Sequence, residues 1–529
     1  MAVPFKPEFP QTFNMVDYFV DANLRAGRGN KVAVRWAEST SGEAGKPREG
    51  GQWTYAETAA MVNRMGNGLI KLGMQPEQRF LTVLFDCPEF VATWFGGIKA
   101  GFVATQVNPL LPAEDYLYYM NYTKAPVAII DAHCLPAFES VLPQARYIKH
   151  LVVVNGDAGR HVSFDQLTRD NSPELASAPT DKDDPAVWLF TSGSTGKSKA
   201  ALHPHFHFPY NTECYAKRVA GYKEHFVTLS VPKLFFGYAT GTNLMFPFAV
   251  GGTTCLFADR PTGEYMYEMI DSFKPNFLTT VPTTINKMLS CDAKDKRDVR
   301  CVKLGVTAGE ALPAALYERW IAETGVELLD GIGSAESFHI YISNYPGDVH
   351  IGSLGKIVPG YDAKICDDEG QEVPIGETGT LRVTGDTAAL MYWSDYEKST
   401  RTLKGGTIVS GDKFRRDEQG YYYYVGRADD LLKVGGIWVA PQEIENCLLK
   451  HPTVEEVCVN GIEDENKLTV PKAYVVLRQG VEGSAKLVTE LQEFVKTKLA
   501  KYKFPRVIEF RDSLPKNDRG KIDRKLLKN

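Results

Sequence analysis

The sequence predicts an α/β protein. Two doubly wound α/β lobes and an antiparallel or barrel-like portion form a large N-terminal domain, followed by a small α+β C-terminal domain. Three observations carry this. Short β-rich runs alternate with helix-length segments twice over, the pattern of parallel sheets covered by helices. From about residue 350 to 425 the texture changes to glycine-punctuated short strands, and after 427-RADD-430 it changes again to a compact mixture of helix and strand.

Taken in order, Thr54-Tyr55-Ala56-Glu57 reads as a capping box opening a helix. Met61, Met65, Leu69 and Leu72 follow at helical spacing, and Gly73 is placed to end it. A strand is expected over 79–85, a helix over 89–100, and apolar strands at 127–130 and 150–154. The rhythm restarts with strands at 226–231, 253–258, 277–281 and 302–307. The segments 378-TGTLRVTG-385 and 420-GYYYYVG-426 supply the antiparallel portion. The tail offers a helix near 442–450, strands in VEEVCVNG and KAYVVL, and a helix from about 486 to 500 with Leu487, Leu491, Phe494, Val495 and Leu499 on one face. A boundary is expected at 428/429, giving domains 1–428 and 429–529; about a hundred residues is enough for an independent unit.

Bulk properties narrow the class. The chain has 529 residues, 43% hydrophobic and 24% charged, which suits a globular protein of about three or four domain-sized units. A net charge of −5 provides no basic field for nucleic acid or an anionic membrane. The nine cysteines are scattered without C-x-x-C or zinc spacing, as expected for free thiols in a reducing compartment. The N-terminus has no secretory apolar core, and no apolar run approaches the ~18 residues that span a bilayer. A cytoplasmic enzyme is expected, with monomer and homodimer both open.

The stretch 191-TSGSTGKSK-199 follows the apolar run Val187-Trp188-Leu189-Phe190. Thr191, Ser192, Ser194 and Thr195 offer hydroxyls, the glycines let backbone N–H groups turn toward an anion, and Lys197 and Lys199 add charge. A Walker A loop needs glycine where this chain has Thr191. On this stretch alone, a damaged P-loop of an NTPase switch, a different phosphate cradle and a solvated Ser/Gly loop all stay open. The stripe 234-LFFGY-238 reads as a pocket wall or as core. The histidines of 203-HPHFH-207 read as one face of an extended segment, with metal binding the lesser alternative.

Further segments settle the loop. In chain order they are 98-IKAGFVATQVNP-109, 307-TAGEALP-313, 330-DGIGSAES-337, 410-SGDKFRRDEQGYYYYVGRADDLLKVGG-436 and 515-PKNDRGK-521. Together with the 191–199 loop they resemble the adenylate-forming superfamily of acyl- and aryl-CoA ligases, luciferases and peptide-synthetase adenylation domains. The segments 231-VPKLFFGYATG-241 and 330-DGIGSAESFHIYISN-344 resemble its benzoate–CoA ligase branch, including enzymes for aminobenzoates.

The resemblance implies an AMP-forming aryl-CoA ligase using ATP, Mg2+ and CoA on a benzoate-type acid (benzoate, 2-aminobenzoate or a hydroxybenzoate), with a carrier protein as the alternative acceptor. It implies that the 191–199 loop holds pyrophosphate and that Glu336 is the metal-side carboxylate. Gly309 and Glu310 with Asp330, Gly331, Ile332 and Gly333 would flank the adenine, and Ser334 would also contact the nucleotide. Asp412 and Arg427 would hold the ribose, unless they are a surface ion pair. Lys521 would bridge carboxylate and phosphate oxygens during adenylation. Phe236, Gly237, Tyr238, Gly333 and His339 would face the acid, with Lys433 near its carboxylate. The small domain would be mobile, turning at Asp429 to bring Gly435 and Gly436 beside the pantetheine arm.

Two departures stand out. Ser198-Lys199-Ala200 replaces the family's Pro-Lys-Gly, and Ala335 stands where the family places threonine before the acidic residue. Losing one hydroxyl donor to phosphate costs ~1–3 kcal/mol unless a neighbour such as Ser334 substitutes. The chain ends eight residues after Lys521, with no carrier domain or pantetheine attachment site, so the acceptor is expected to come from outside.

Overall fold

The computed structural model describes residues 5–37, 50–191, 197–293, 298–427, 430, 432–434, 437–465, 468–516 and 522–527. The first two strands, β1 (Val32–Trp36) and β2 (Gly51–Thr54), pair antiparallel and wait for partners far along the chain. Next come β3 (Arg79–Val83), β4 (Val103–Gln106), β5 (Val127–Asp131), β6 (His150–Val154), β7 (Val162–Ser163), β8 (Pro185–Thr191) and β9 (Lys199–Pro204). They form one sheet in the order β7-β6-β5-β3-β4-β8-β9, parallel except for the β8–β9 hairpin.

The second sheet takes β10 (Val227–Ser230), β11 (Thr253–Leu256), β12 (Phe277–Thr280), β13 (Leu304–Thr307), β14 (Glu327–Gly333), β15 (Ile340–Ser343) and β16 (Lys356–Ile357). Its order is β16-β15-β14-β13-β12-β10-β11-β1-β2. The two expected α/β lobes are present, one sheet each, but the second also takes strands from the start of the chain. β1 crosses over to lie parallel to β11, with Val34 opposite Thr254, a pairing more than two hundred residues apart that local patterning does not reveal. Within each sheet the central order repeats, β4-β3-β5-β6 and β11-β10-β12-β13, the doubly wound arrangement with a switch point beside the first strand of each.

Each early helix forms for a local reason. Thr54 and Glu57 close the capping box in both directions, at 3.2 Å and 2.7 Å, and open the helix Tyr55–Lys71. The helix Pro88–Lys99 is buried on every side, as its mostly apolar composition requires. Its Lys99 is paired to Asp21 at 2.8 Å. The two helices touch backbone to backbone: a Cβ on Gly96 would lie 2.6 Å from the Val62 carbonyl oxygen.

The antiparallel portion consists of β17 (Tyr361–Cys366), β18 (Gly379–Gly385), β19 (Leu403–Lys404), β20 (Thr407–Arg416) and β21 (Tyr422–Arg427), in the order β17-β18-β20-β19 with β21 also on β20. Beyond it lie the hairpin β22 (Leu432–Val434) and β23 (Ile437–Val439), then β24 (Val454–Glu463), β25 (Thr469–Leu477) and β26 (Val507–Phe510). The helices Pro441–Leu448 and Ala485–Lys498 cover this last sheet with Ile444, Leu448, Leu487, Leu491 and Val495. Among the described residues, no helix is long and apolar enough to cross a membrane.

The helix contact supplies a test. Gly96→Ala places a methyl against backbone that cannot rotate away, so it is expected to cost about 1–3 kcal/mol in urea unfolding. An unchanged midpoint would show that the two helices separate easily.

Candidate active site

Parallel register brings the carboxyl ends of the second sheet level. Ser230 lies opposite Thr279, Thr280 opposite Thr307, and Thr307 opposite Asp330. The segments leaving these ends carry most of the expected site: 231–241 after β10, 308–313 after β13, and 330–339 around the end of β14. Ligands of doubly wound sheets bind at this edge.

Gly309 is exposed at φ +86°, and Glu310 follows half-buried. The Glu310 Oε2 accepts from the Thr283 N–H at 3.1 Å and hydroxyl at 2.7 Å, tying the loop after β13 to the one after β12. Asp330 is buried, and desolvation pushes its carboxyl well above the usual carboxylate range. Gly331 and Gly333 sit where no side chain fits; a Cβ on Gly333 would lie 2.5 Å from the His339 carbonyl oxygen. Ile332, Gly333 and Ser334 are half-exposed, and the Ser334 hydroxyl is buried beside Tyr341.

The turn from β14 to β15 holds Glu336. It passes through Phe338 at φ 67° and ψ −56°, a left-handed conformation costing a bulky residue about 1–3 kcal/mol. Packing of the buried Phe338 ring on Phe208, centroids 4.5 Å apart, offsets that cost. Glu336 is half-buried, and its Oε1 accepts from the Tyr392 hydroxyl at 2.6 Å. Its backbone carbonyl accepts the Ala389 N–H at 2.7 Å. The Lys398 ammonium lies 4.4 Å from the Tyr392 ring centroid, and burial lowers its pKa against the pull of Glu336. Among the described residues no hydrogen bond reaches Glu336 Oε2. This open carboxylate oxygen would suit one contact to a Mg2+ ion held mainly by phosphates; no cluster of three or more metal-ligating side chains occurs among the described residues.

The phosphate-loop residues Ser192, Ser194 and Thr195 lie outside the described residues. The base of their loop is described: Thr191 pairs with Lys199 across β8 and β9. Lys199 is engaged by Asp395 in a short ion pair, and the Lys197 ammonium lies 5.2 Å from the Tyr118 ring centroid. The Tyr118 hydroxyl donates to the Ser198 carbonyl at 2.6 Å. Asp412 and Arg427 stand opposite each other on β20 and β21, Oδ1 to Nε 3.9 Å.

On the acid side, Phe236, Gly237 and Tyr238 are half-buried and open a short helix, Gly237–Thr240. The His339 Nε2–H donates to the Tyr238 carbonyl at 3.0 Å, which leaves Nδ1 as an acceptor, buried and without a protein partner among the described residues. A Cβ on Gly241 would fall 2.5 Å from His339 Nε2. The Lys433 side chain lies outside the described residues, as do Asp429, Gly435, Gly436 and Lys521. Around the last of these, Lys516 and Ile522 form an antiparallel bridge. Arg524 fixes the short 3-10 helix beyond it, Arg524–Leu527, through a bidentate pair with the buried Glu445, at 2.6 Å and 2.7 Å.

Tyr392, Lys398, Tyr118 and Asp395 escape sequence reading, because their roles arise from long-range contacts. The three histidines do not share one extended face. His203 is on β9, His205 follows it, and His207 begins the helix His207–Asn211; all are buried.

Desolvation lowers His203 and His339 to about 4, His205 to about 3, and His207 well below its usual value. These rings are expected to stay neutral at pH 5, so their NMR resonances should not shift between pH 7 and 5; protonation in that range would contradict their burial. Their contribution to stability is complete above the unfolded value of 6.5 and is lost as pH falls toward about 4, because unfolding then takes up protons that the folded chain refuses. Asp86 and Asp131, raised to about 6 by burial, act oppositely, so ring resonances report more directly than unfolding midpoints.

Known proteins resemble this chain over nearly its whole length. Residues 22–393 match the AMP-binding enzyme family and residues 443–521 match the AMP-binding enzyme C-terminal domain. The chain is 41% identical to a benzoate–CoA ligase of Thauera aromatica, covering 98% of this chain and 96% of that one. It is 34% identical to a 4-hydroxybenzoate–CoA/benzoate–CoA ligase of Rhodopseudomonas palustris, covering 98% and 94%. The crystal structure of the anthranilate CoA ligase AuaEII in complex with anthranoyl-AMP superposes with a TM-score of 0.92 at 36% identity, covering 98% and 97%. With the adenylate-forming motifs in order along the chain and the fold in place around them, the protein belongs to the AMP-binding enzyme family, in its benzoate–CoA ligase branch.

Proposed function

We propose that the protein joins a benzoate-type aromatic acid to CoA through an aryl-adenylate, consuming ATP and releasing pyrophosphate and AMP. The observation that carries this reading is the convergence of an aromatic wall, Phe236–Tyr238 with His339, and the carboxylate Glu336 on one turn after β14. A flat, mostly apolar slot with few polar groups suits an aryl ring.

The first step needs no general base, since an aromatic carboxylate with pKa near 4 is ionised at pH 7. Its oxygen attacks the α-phosphorus, the new C–O–P linkage forms, and the bond to pyrophosphate breaks. The obstacle is the meeting of two anions, and the chain's contribution is cationic and dipolar stabilisation with positioning. Mg2+, when bound, neutralises phosphate charge. Glu336 Oε2 is the oxygen available to it, with Oε1 held by Tyr392. Lys521 supplies the ammonium that bridges acid and phosphate oxygens. Asp412 and Arg427 hold the ribose hydroxyls as acceptor and forked donor. In the second step the CoA thiolate attacks the acyl carbon and AMP leaves. The 429–529 domain turns at Asp429 between the steps, and the Gly435-Gly436 backbone leaves room for the pantetheine arm.

His339 bears on the ring substituent. A buried acceptor without a partner costs about 1–3 kcal/mol, and an amino or hydroxyl group on the bound ring would satisfy Nδ1. This favours 2-aminobenzoate or a hydroxybenzoate alongside benzoate, in keeping with the substrates named for the relatives above.

A panel of benzoate, 2-aminobenzoate, hydroxybenzoates, cinnamates and medium-chain acids, assayed for pyrophosphate release with and without CoA, tests the reading. Aryl acids should give the highest kcat/KM; preference for an eight-carbon chain would reject it. Lys521→Ala should slow adenylation strongly and spare thioester formation from supplied aryl-adenylate. Gly241→Ala, which displaces the His339 ring, should raise KM for the acid about tenfold and leave KM for ATP unchanged. Equal changes in both constants would place His339 outside the acid pocket.

A further inference from the structure

Two imidazoles left unused by this chemistry connect the phosphate-loop strand to the turn that bears Glu336. The His203 Nε2 lies 2.7 Å from the Ala335 carbonyl oxygen, and its Nδ1 lies 2.9 Å from the His207 Nδ1. A carbonyl can only accept, so His203 carries its proton on Nε2. Its Nδ1 is then an acceptor, which places the His207 proton on Nδ1. The relay has one direction: His207 donates to His203, and His203 donates to Ala335. Both rings are at most 2% exposed, so water does not compete for these bonds.

The carbonyl that receives the relay belongs to the peptide unit whose nitrogen is that of Glu336. Because that unit is planar, fixing its oxygen restrains rotation of the Glu336 backbone. The other restraints on Glu336 come from the segment that flanks the opposite edge of β9. Leu202 N–H donates to the Met391 carbonyl at 3.0 Å, Leu390 N–H donates to the Leu202 carbonyl at 2.9 Å, and the same segment presents Ala389 and Tyr392 to Glu336. The strand that leaves the phosphate loop thus holds the acidic turn from two sides. Ala335, which lacks the family's hydroxyl, is fixed here through its carbonyl.

We propose that His203, backed by His207, is a positioning residue that aims the Glu336 carboxylate at the metal-bearing phosphates. This rests on the reading of Glu336 as the metal-side carboxylate. A histidine pair serving only as core filling would set the thermal midpoint and leave the Mg2+ requirement alone.

The test uses the full-length protein with His203→Met, His203→Gln and Glu336→Gln, and calorimetry of ATP binding across a Mg2+ titration without acid. His203→Met removes the donor at similar volume and should raise the Mg2+ concentration for half-maximal ATP binding about tenfold, the effect of one lost hydrogen bond. It should leave ATP affinity without Mg2+ and KM for the aryl acid unchanged. In His203→Gln the side-chain amide can still donate to Ala335, so most of the effect should be rescued. In a Glu336→Gln background His203→Met should add nothing, because the two act through one group. An unchanged Mg2+ requirement in His203→Met, with Glu336→Gln raising it, overturns the relay and spares the reading of Glu336. No effect of Glu336→Gln overturns both. Should His203→Met fail to fold, 15N spectra of the wild-type rings decide: Nε2-protonated His203 and Nδ1-protonated His207, shifting on Mg2+ with ATP but not on ATP alone, support the relay. The reverse tautomers, or no Mg2+-dependent shift, overturn it.

Discussion

Parallel strands in register end together, and the site depends on that constraint. Thr280, Thr307 and Asp330 are spread over fifty residues of chain, yet the ladders β12–β13–β14 set them in one row, with Ser230 of β10 one position short of it, opposite Thr279. Every segment leaving the row starts from the same edge, so short loops suffice to bring Tyr238, Glu310, Glu336 and His339 together. Close packing of the two sheets' cores makes the edge a rigid base, with Phe208, Phe246, Phe338 and Ile340 in one cluster with strands of the first sheet.

On this base the polar groups are arranged in layers. Backbone contacts fix the turns: Glu310 on Thr283, Ala389 on Glu336. Buried side chains then restrict the acidic residue, with Tyr392 at one carboxylate oxygen and His203 at the preceding carbonyl. The cationic groups near the loop base are partly engaged by protein partners, Lys199 by Asp395 and Lys398 by its position over Tyr392. Such internal pairing holds long flexible side chains in place before an anion arrives, which lowers the entropy cost of gripping it.

Much of this is legible in the sequence, and the exceptions share a cause. The capping box at Thr54, the strands of both sheets and the order of glycine-containing segments are local signals, and local signals survive in a linear chain. β1 pairs with β11 across more than two hundred residues, and nothing in VAVRW states that preference. Tyr392 and His203 are ordinary residues in ordinary strands until tertiary contact gives each an oxygen to hold. The spacing of the histidine run predicts one extended face, but β9 ends at Pro204 and a helix begins at His207, so His205 turns instead toward the Met15 N–H. The family resemblance makes Glu310 a nucleotide contact; the structure shows its carboxylate bracing two loops through Thr283, a role that residue type does not announce.

The strained residue Phe338 has a consequence for how such a protein changes its diet. It stands two positions from Glu336 and one from His339, so the carboxylate proposed for the metal side and the imidazole proposed for the acid side are only three residues apart, with no slack between them. Remodelling the acid pocket by replacing residues 337–340 would disturb the nucleotide half at once. The opposite wall, from Phe236 to Gly241, carries no such burden, and new tastes in aromatic acids are more readily acquired there.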